Sequence, residues 1–111
     1  MNQAFKGEIM SVSFSQRMTV APDVLFRLLG DEGVVLNLRT ELYLGVDSVG
    51  ARMWTVVNDA PSIQAAYDLL LHEYDVEPGR LHQDLDEFLD RLLEQGLIET
   101  VNDIEQGRRQ A

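Results

Sequence analysis

A chain of 111 residues suits one small domain around a single core. It has no cysteine, which excludes disulfide staples, thiolate metal sites, iron–sulfur ligation and cysteine nucleophiles, and suits a reducing cytoplasm. The net charge of −10 disfavours nucleic acid and reads as a solvated surface, or one matched to a basic or mixed-charge partner.

Residues 1–16 show no hydrophobic period and read as a flexible N-terminal arm, and Met10 offers an alternative start. The arm lacks the charged-then-apolar pattern of a signal peptide, and no apolar run is long enough for a bilayer, so no membrane partner is expected. Arg17–Val20 reads as a short extended piece ended by Pro22. Val24–Leu29 is nearly all apolar, the pattern of a strand with little water on either face. Gly30-Asp31-Glu32-Gly33 is a turn, and residues 34–38 alternate with the two-residue period of a half-buried strand. Arg39-Thr40-Glu41 is short and polar, so Leu42-Tyr43-Leu44 folds back as a third strand. That strand runs almost directly into a helix, which leaves it short and at a sheet edge, free to accept another chain.

Asp47-Ser48 is capping chemistry for a first helix over about 48–57, in which Gly50-Ala51 lets another backbone come close. Ser62 caps a second helix over about 63–74, with Ile63, Ala66, Tyr67, Leu70 and Tyr74 on one stripe. Pro78 opens a third over about 78–95, apolar through Leu81, Leu85, Phe88, Leu89 and Leu92 and closed by Gly96 and Leu97 in Schellman fashion. From residue 100 the chain reads as a flexible C-terminal tail. The expected fold is therefore α+β: a small three-stranded antiparallel sheet, then three helices, over residues 17–99, in a winged helix-turn-helix-like order.

No catalytic constellation stands out. His72 and His82 match no metal-ligand spacing and read as surface histidines, and the carboxylates Asp84, Asp86, Glu87 and Asp90 read as a wet helix face. The serines lie in arms or caps, no phosphate loop is present, and neither a metal nor a cofactor is expected. Trp54 reads as a core anchor. Tyr43 is equally readable as a lid on the core or as the lining of a groove beside an added strand. The chain thus reads as a binding module and not as an enzyme.

The runs Gly33-Val34-Val35-Leu36-Asn37-Leu38, Leu42-Tyr43-Leu44-Gly45-Val46-Asp47 and Gly50-Ala51-Arg52-Met53-Trp54 resemble the PqqD-like proteins, as do Tyr74-Asp75-Val76, Asp84-Leu85, Phe88-Leu89, Leu92 and Gly96-Leu97-Ile98. Glu41 stands where this family often has glycine, and Asp47 where asparagine is common. The resemblance implies a recognition element for ribosomally made, post-translationally modified peptides. It would hold the leader of a precursor peptide and present the core to a partner enzyme, a radical SAM protein in PQQ assembly or a leader protease in lasso-peptide assembly. The leader would add as a strand against the third strand, beside the third helix. Mapped here, the edge is Glu41, Leu42, Tyr43, Leu44, Gly45 and Val46, and the cleft wall is Asp84, Leu85, Phe88, Arg91 and Leu92. Phe88 and Leu92 would hold apolar leader side chains, while Asp84 and Arg91 would fix its register by opposite charges. A free edge also lets two copies pair, so a homodimer fits the pattern. The alternative is a winged-helix DNA-binding regulator, which the acidic third helix argues against.

Overall fold

The structure, a computed structural model, describes residues 12–101. Its order is β1 (Arg17–Val20), β2 (Val24–Leu29), β3 (Glu32–Asn37), β4 (Tyr43–Val46), α1 (Ser48–Asp59), α2 (Ile63–Glu73), α3 (Pro78–Glu94) and β5 (Ile98–Val101). The expected α+β architecture is present: β2, β3 and β4 form an antiparallel meander in that spatial order, and three helices follow. A further sheet joins the two ends of the described chain, with Arg17 opposite Val101 and Val20 opposite Ile98.

Local chemistry explains most boundaries. Gly30 turns at φ +70°, which an L side chain resists, and returns the chain so that Leu29 faces Glu32. The Asp47 carboxylate accepts from the Gly50 N–H at 2.9 Å and caps α1; the Ser62 hydroxyl accepts from the Ala65 N–H at 3.1 Å and caps α2. α3 starts on Pro78 and ends in a Schellman motif, where the Leu97 N–H reaches the Leu92 carbonyl and the Gly96 N–H the Leu93 carbonyl.

The core lies between the inner face of the meander and the helices. It includes Val35 from β3, Trp54 and Val57 from α1, Leu70 from α2, Leu85, Leu89 and Leu92 from α3, and Ile98. Trp54 is the expected anchor, buried and stacked on Phe26 with ring centres 5.4 Å apart. Gly33 makes that stack feasible, since a Cβ there would sit 2.6 Å from the Phe26 ring.

Three expectations need correcting. β2 is an edge strand, not a doubly covered one: Leu25, Leu28 and Leu29 are exposed, and only Val24 and Phe26 turn to the core. Residues 12–16 are not a loose arm. Phe14 is buried and stacked on His82 at 4.1 Å, and the carbonyls of Phe14 and Gln16 take up the N–H groups of Gln64 and Ile63 at the start of α2. The C-terminal segment continues as strand through Val101 because β1 supplies its partner. The expected arm before residue 12 and tail after residue 101 lie outside the described residues. Among the described residues no helix is long and apolar enough to cross a membrane.

Candidate functional site

The free edge of β4 is the first component. β3 pairs with one side of β4, and among the described residues no strand pairs with the other. The Asn37 N–H donates to the Leu42 carbonyl at 2.9 Å, which sets the phase of the ladder. Bonded pairs alternate in an antiparallel ribbon, so Leu44 and Val46 bond inward to Val35 and Gly33. Tyr43 and Gly45 therefore aim their N–H and C=O groups outward, in the spacing that an incoming strand uses. The inward-facing side chains Leu44 and Val46 pack on the core; Tyr43, at 66% exposure, stands on the outer face.

A structured turn holds this edge. The buried Asn37 side chain accepts from the N–H groups of Arg39 and Thr40 at 2.8 and 3.2 Å, and the Glu41 N–H donates to the Asn37 carbonyl at 2.8 Å. Glu41 itself adopts φ 64°, the left-handed region, which accounts for a glycine preference at this turn position. At the other end of β4, a Cβ on Gly50 would meet the Val46 Cβ at 2.9 Å, so glycine lets the first turn of α1 close on the strand. A close approach was expected of Gly50, but from another backbone; what comes close is the Val46 side chain.

The second component is a groove of ≈ 260 Å³ between the start of α1 and the middle of α3. Val49, Met53 and Phe88 give it apolar wall, and Asp47, Asp84, Glu87 and Arg91 give it charge. Asp84 also borders a second hollow of ≈ 380 Å³, with Val76, Glu77 and Arg80, so the concavity continues toward the start of α3. Three of the charges are engaged locally. Asp47 caps α1, Asp84 lies 3.4 Å from the Arg80 guanidinium, and Glu87 accepts from the Gln83 amide at 3.2 Å.

The structure thus brings Asp84, Phe88 and Arg91 into one groove. Leu85 and Leu92, both at 0% exposure, lie inside the core and do not line the groove. A heptad-like spacing cannot separate the central row of an apolar helix face from its rim, which is why all three apolar residues looked alike. Glu41 and Leu42 are exposed at the turn before the strand. Val49 and Met53 were missed as groove residues; their i, i+4 spacing on α1, opposite the α3 wall, is the signal that carries them.

On the far flank of α3, Asp86 and Asp90 each bury one carboxylate oxygen without a partner. Burial, and then the neighbouring Asp86, Glu94 and Glu87, raise the Asp90 carboxyl above its ordinary range. Among the described residues no cluster of three or more His, Cys, Asp or Glu is arranged to hold a metal ion.

The family pattern described as coenzyme PQQ synthesis protein D (PqqD) matches residues 32–98, a span from β3 to the start of β5. The chain belongs to the PqqD family. No curated protein sequence matches the chain. Among solved structures, "TbiB1 in Complex with the TbiA(beta) Leader Peptide" is similar with a TM-score of 0.67 and 31% identity, covering 73% of this chain and 94% of that one. "Lasso peptide synthetase B1 complexed with the leader peptide" shares the fold with a TM-score of 0.67 at 20% identity, covering 75% of this chain and 98% of that one. Nearly the whole of each neighbour is therefore spanned by this PqqD-family chain.

Proposed function

We propose that this PqqD-family protein is a non-catalytic recognition element that binds the leader of a ribosomally made precursor peptide by strand addition along β4. The observation that carries this reading is the outward-facing backbone of Tyr43 and Gly45 beside the α1–α3 groove. The likeness to TbiB1, which was solved with a leader peptide bound, supports it. The added strand extends the meander and bonds to Tyr43 and Gly45. Its inward-facing side chains enter the groove over Val49, Met53 and Phe88, while Glu41 and Leu42 flank its end and Asp84 and Arg91 border its charged positions. Leu44 and Val46 act from within, by holding β4 against the core. The bound precursor is presented to a modifying enzyme such as a radical SAM protein or a leader protease, in the cytoplasm where the precursor is made.

The DNA-binding alternative fits poorly with α3, whose exposed face carries Asp84, Glu87 and Glu94 toward any phosphate backbone. An NMR titration tests the reading. Leaders from precursor genes beside this protein's gene, with the TbiA(beta) leader for comparison, are added to labelled protein. The expected result is a set of shifts at the amides of Tyr43 to Val46 and around Phe88. Unmoved β4 amides with every leader overturn it.

A further inference from the structure

Arg91 differs from every other charged residue of the groove. It is exposed, it lines the α1–α3 groove, and among the described residues its side chain has no hydrogen bond or ion pair. The carboxylates around it already have partners: the α1 N-terminus for Asp47, Arg80 for Asp84 and Gln83 for Glu87. Among the described residues, the one charged side chain of the groove without a partner is therefore positive, in a protein whose net charge is −10. Overall electrostatics favours a basic peptide; the local vacancy favours an acidic side chain.

Resting on the leader-binding reading above, we infer that Arg91 selects peptides with an Asp or Glu close to an apolar residue. Arg91 lies one helical turn from Phe88, so the two present neighbouring subsites along the groove wall. Along an added strand, side chains two residues apart share a face and stand about 7 Å from one another. The apolar guest residue fills the Val49–Met53–Phe88 hollow, and the acidic one, two positions away, meets the guanidinium. Arginine suits this role because its planar fork binds a carboxylate through two parallel bonds. Asp84 and Glu87 sharpen the choice by excluding an acid from the neighbouring positions.

Display of random twelve-residue peptides against the full chain and against Arg91→Glu and Arg91→Gln tests this. The native protein is expected to enrich Asp or Glu at one position two residues from an apolar one. Arg91→Glu is expected to enrich Lys or Arg there, and Arg91→Gln to lose the charge preference. For one selected peptide, Glu→Lys should weaken binding to the native protein about ten-fold and recover it with Arg91→Glu. Binders without an acidic position, or the same acidic preference in Arg91→Glu, overturn the Arg91 assignment and leave strand addition standing. A display that returns no binder that shifts the β4 amides takes down the leader-binding reading, and this inference with it.

Discussion

Single residues before β4 and on α3 carry unfavourable terms whose removal should be measurable. Glu41 keeps φ 64° at the turn before β4. The left-handed conformation costs a non-glycine residue about 1–2 kcal/mol, part of which glycine gives back as extra freedom in the unfolded chain. Glu41→Gly should therefore raise stability by roughly 0.5–1 kcal/mol, read as a higher urea midpoint at unchanged slope. Asp90 is the opposite case, a carboxyl half-buried beside Asp86 with one oxygen unpartnered. Its raised pKa means that the folded state holds the proton more tightly than the unfolded state. Stability contributed by the protonated form is thus complete below the ordinary value of 3.8 and is lost as pH rises through the folded value. Asp90→Asn should stabilise the protein at pH 7, with the gain shrinking as pH falls toward 3.8, in urea titrations across that range. The position of Asp90 on the helix was readable in the sequence; its partial burial was not, because it arises from tertiary packing that the helical period does not report.

Elements with strong local signals were legible, and elements that depend on distant partners were not. The caps at Asp47 and Ser62, Pro78, and the Gly96–Leu97 closure each act within one turn, so they placed all three helices. β1 and β5 are only four residues each and pair across most of the chain, with Val20 opposite Ile98, a register that no local pattern announces. β2 misled for a different reason. An unbroken apolar run does not distinguish a covered strand from an exposed one, and the sheet ends at β2. The edge position of β4 was legible because a strand that passes straight into a helix has little chain with which to acquire a second neighbour. That edge supports a sharp test. The Tyr43 N–H points away from β3, so Tyr43→Pro removes a donor that the fold does not use. Tyr43→Pro should keep the native far-UV circular dichroism and a cooperative melt, yet lose leader binding at least ten-fold. Tyr43→Phe, which keeps the N–H, should bind within two- to three-fold of the native protein. Equal binding by both variants would show that the Tyr43 N–H makes no bond to the guest.

The molecule as a whole is closed by its N-terminal segment. Phe14 belongs to the same buried cluster as Met18 of β1, Trp54 of α1, Leu89 of α3 and Ile98 of β5. It meets Tyr67 edge-on at 5.8 Å and stacks on His82 at 4.1 Å, so one side chain links α2 to α3. Its own carbonyl and that of Gln16 serve α2, accepting from the otherwise orphaned N–H groups of Gln64 and Ile63. Truncating a buried phenylalanine costs about 3–5 kcal/mol, through lost transfer energy and the cavity left behind. Phe14→Ala should fall near the lower limit, since the site opens to the surface through the exposed His82 and can partly collapse. His82→Ala should cost less than about 1.5 kcal/mol, because it removes only the ring contacts and buries nothing new. Both losses should appear in a single transition: the cluster is continuous from Phe14 to Trp54, so Trp54 fluorescence and far-UV circular dichroism should report the same midpoint for native protein and Phe14→Ala alike. If Phe14→Ala instead split the two signals, with helix lost before the Trp54 environment, then the N-terminal segment would be stabilising α2 and α3 as a unit separate from the meander. In that case the groove between α1 and α3 would owe its shape to residues 12–16 as much as to its own walls.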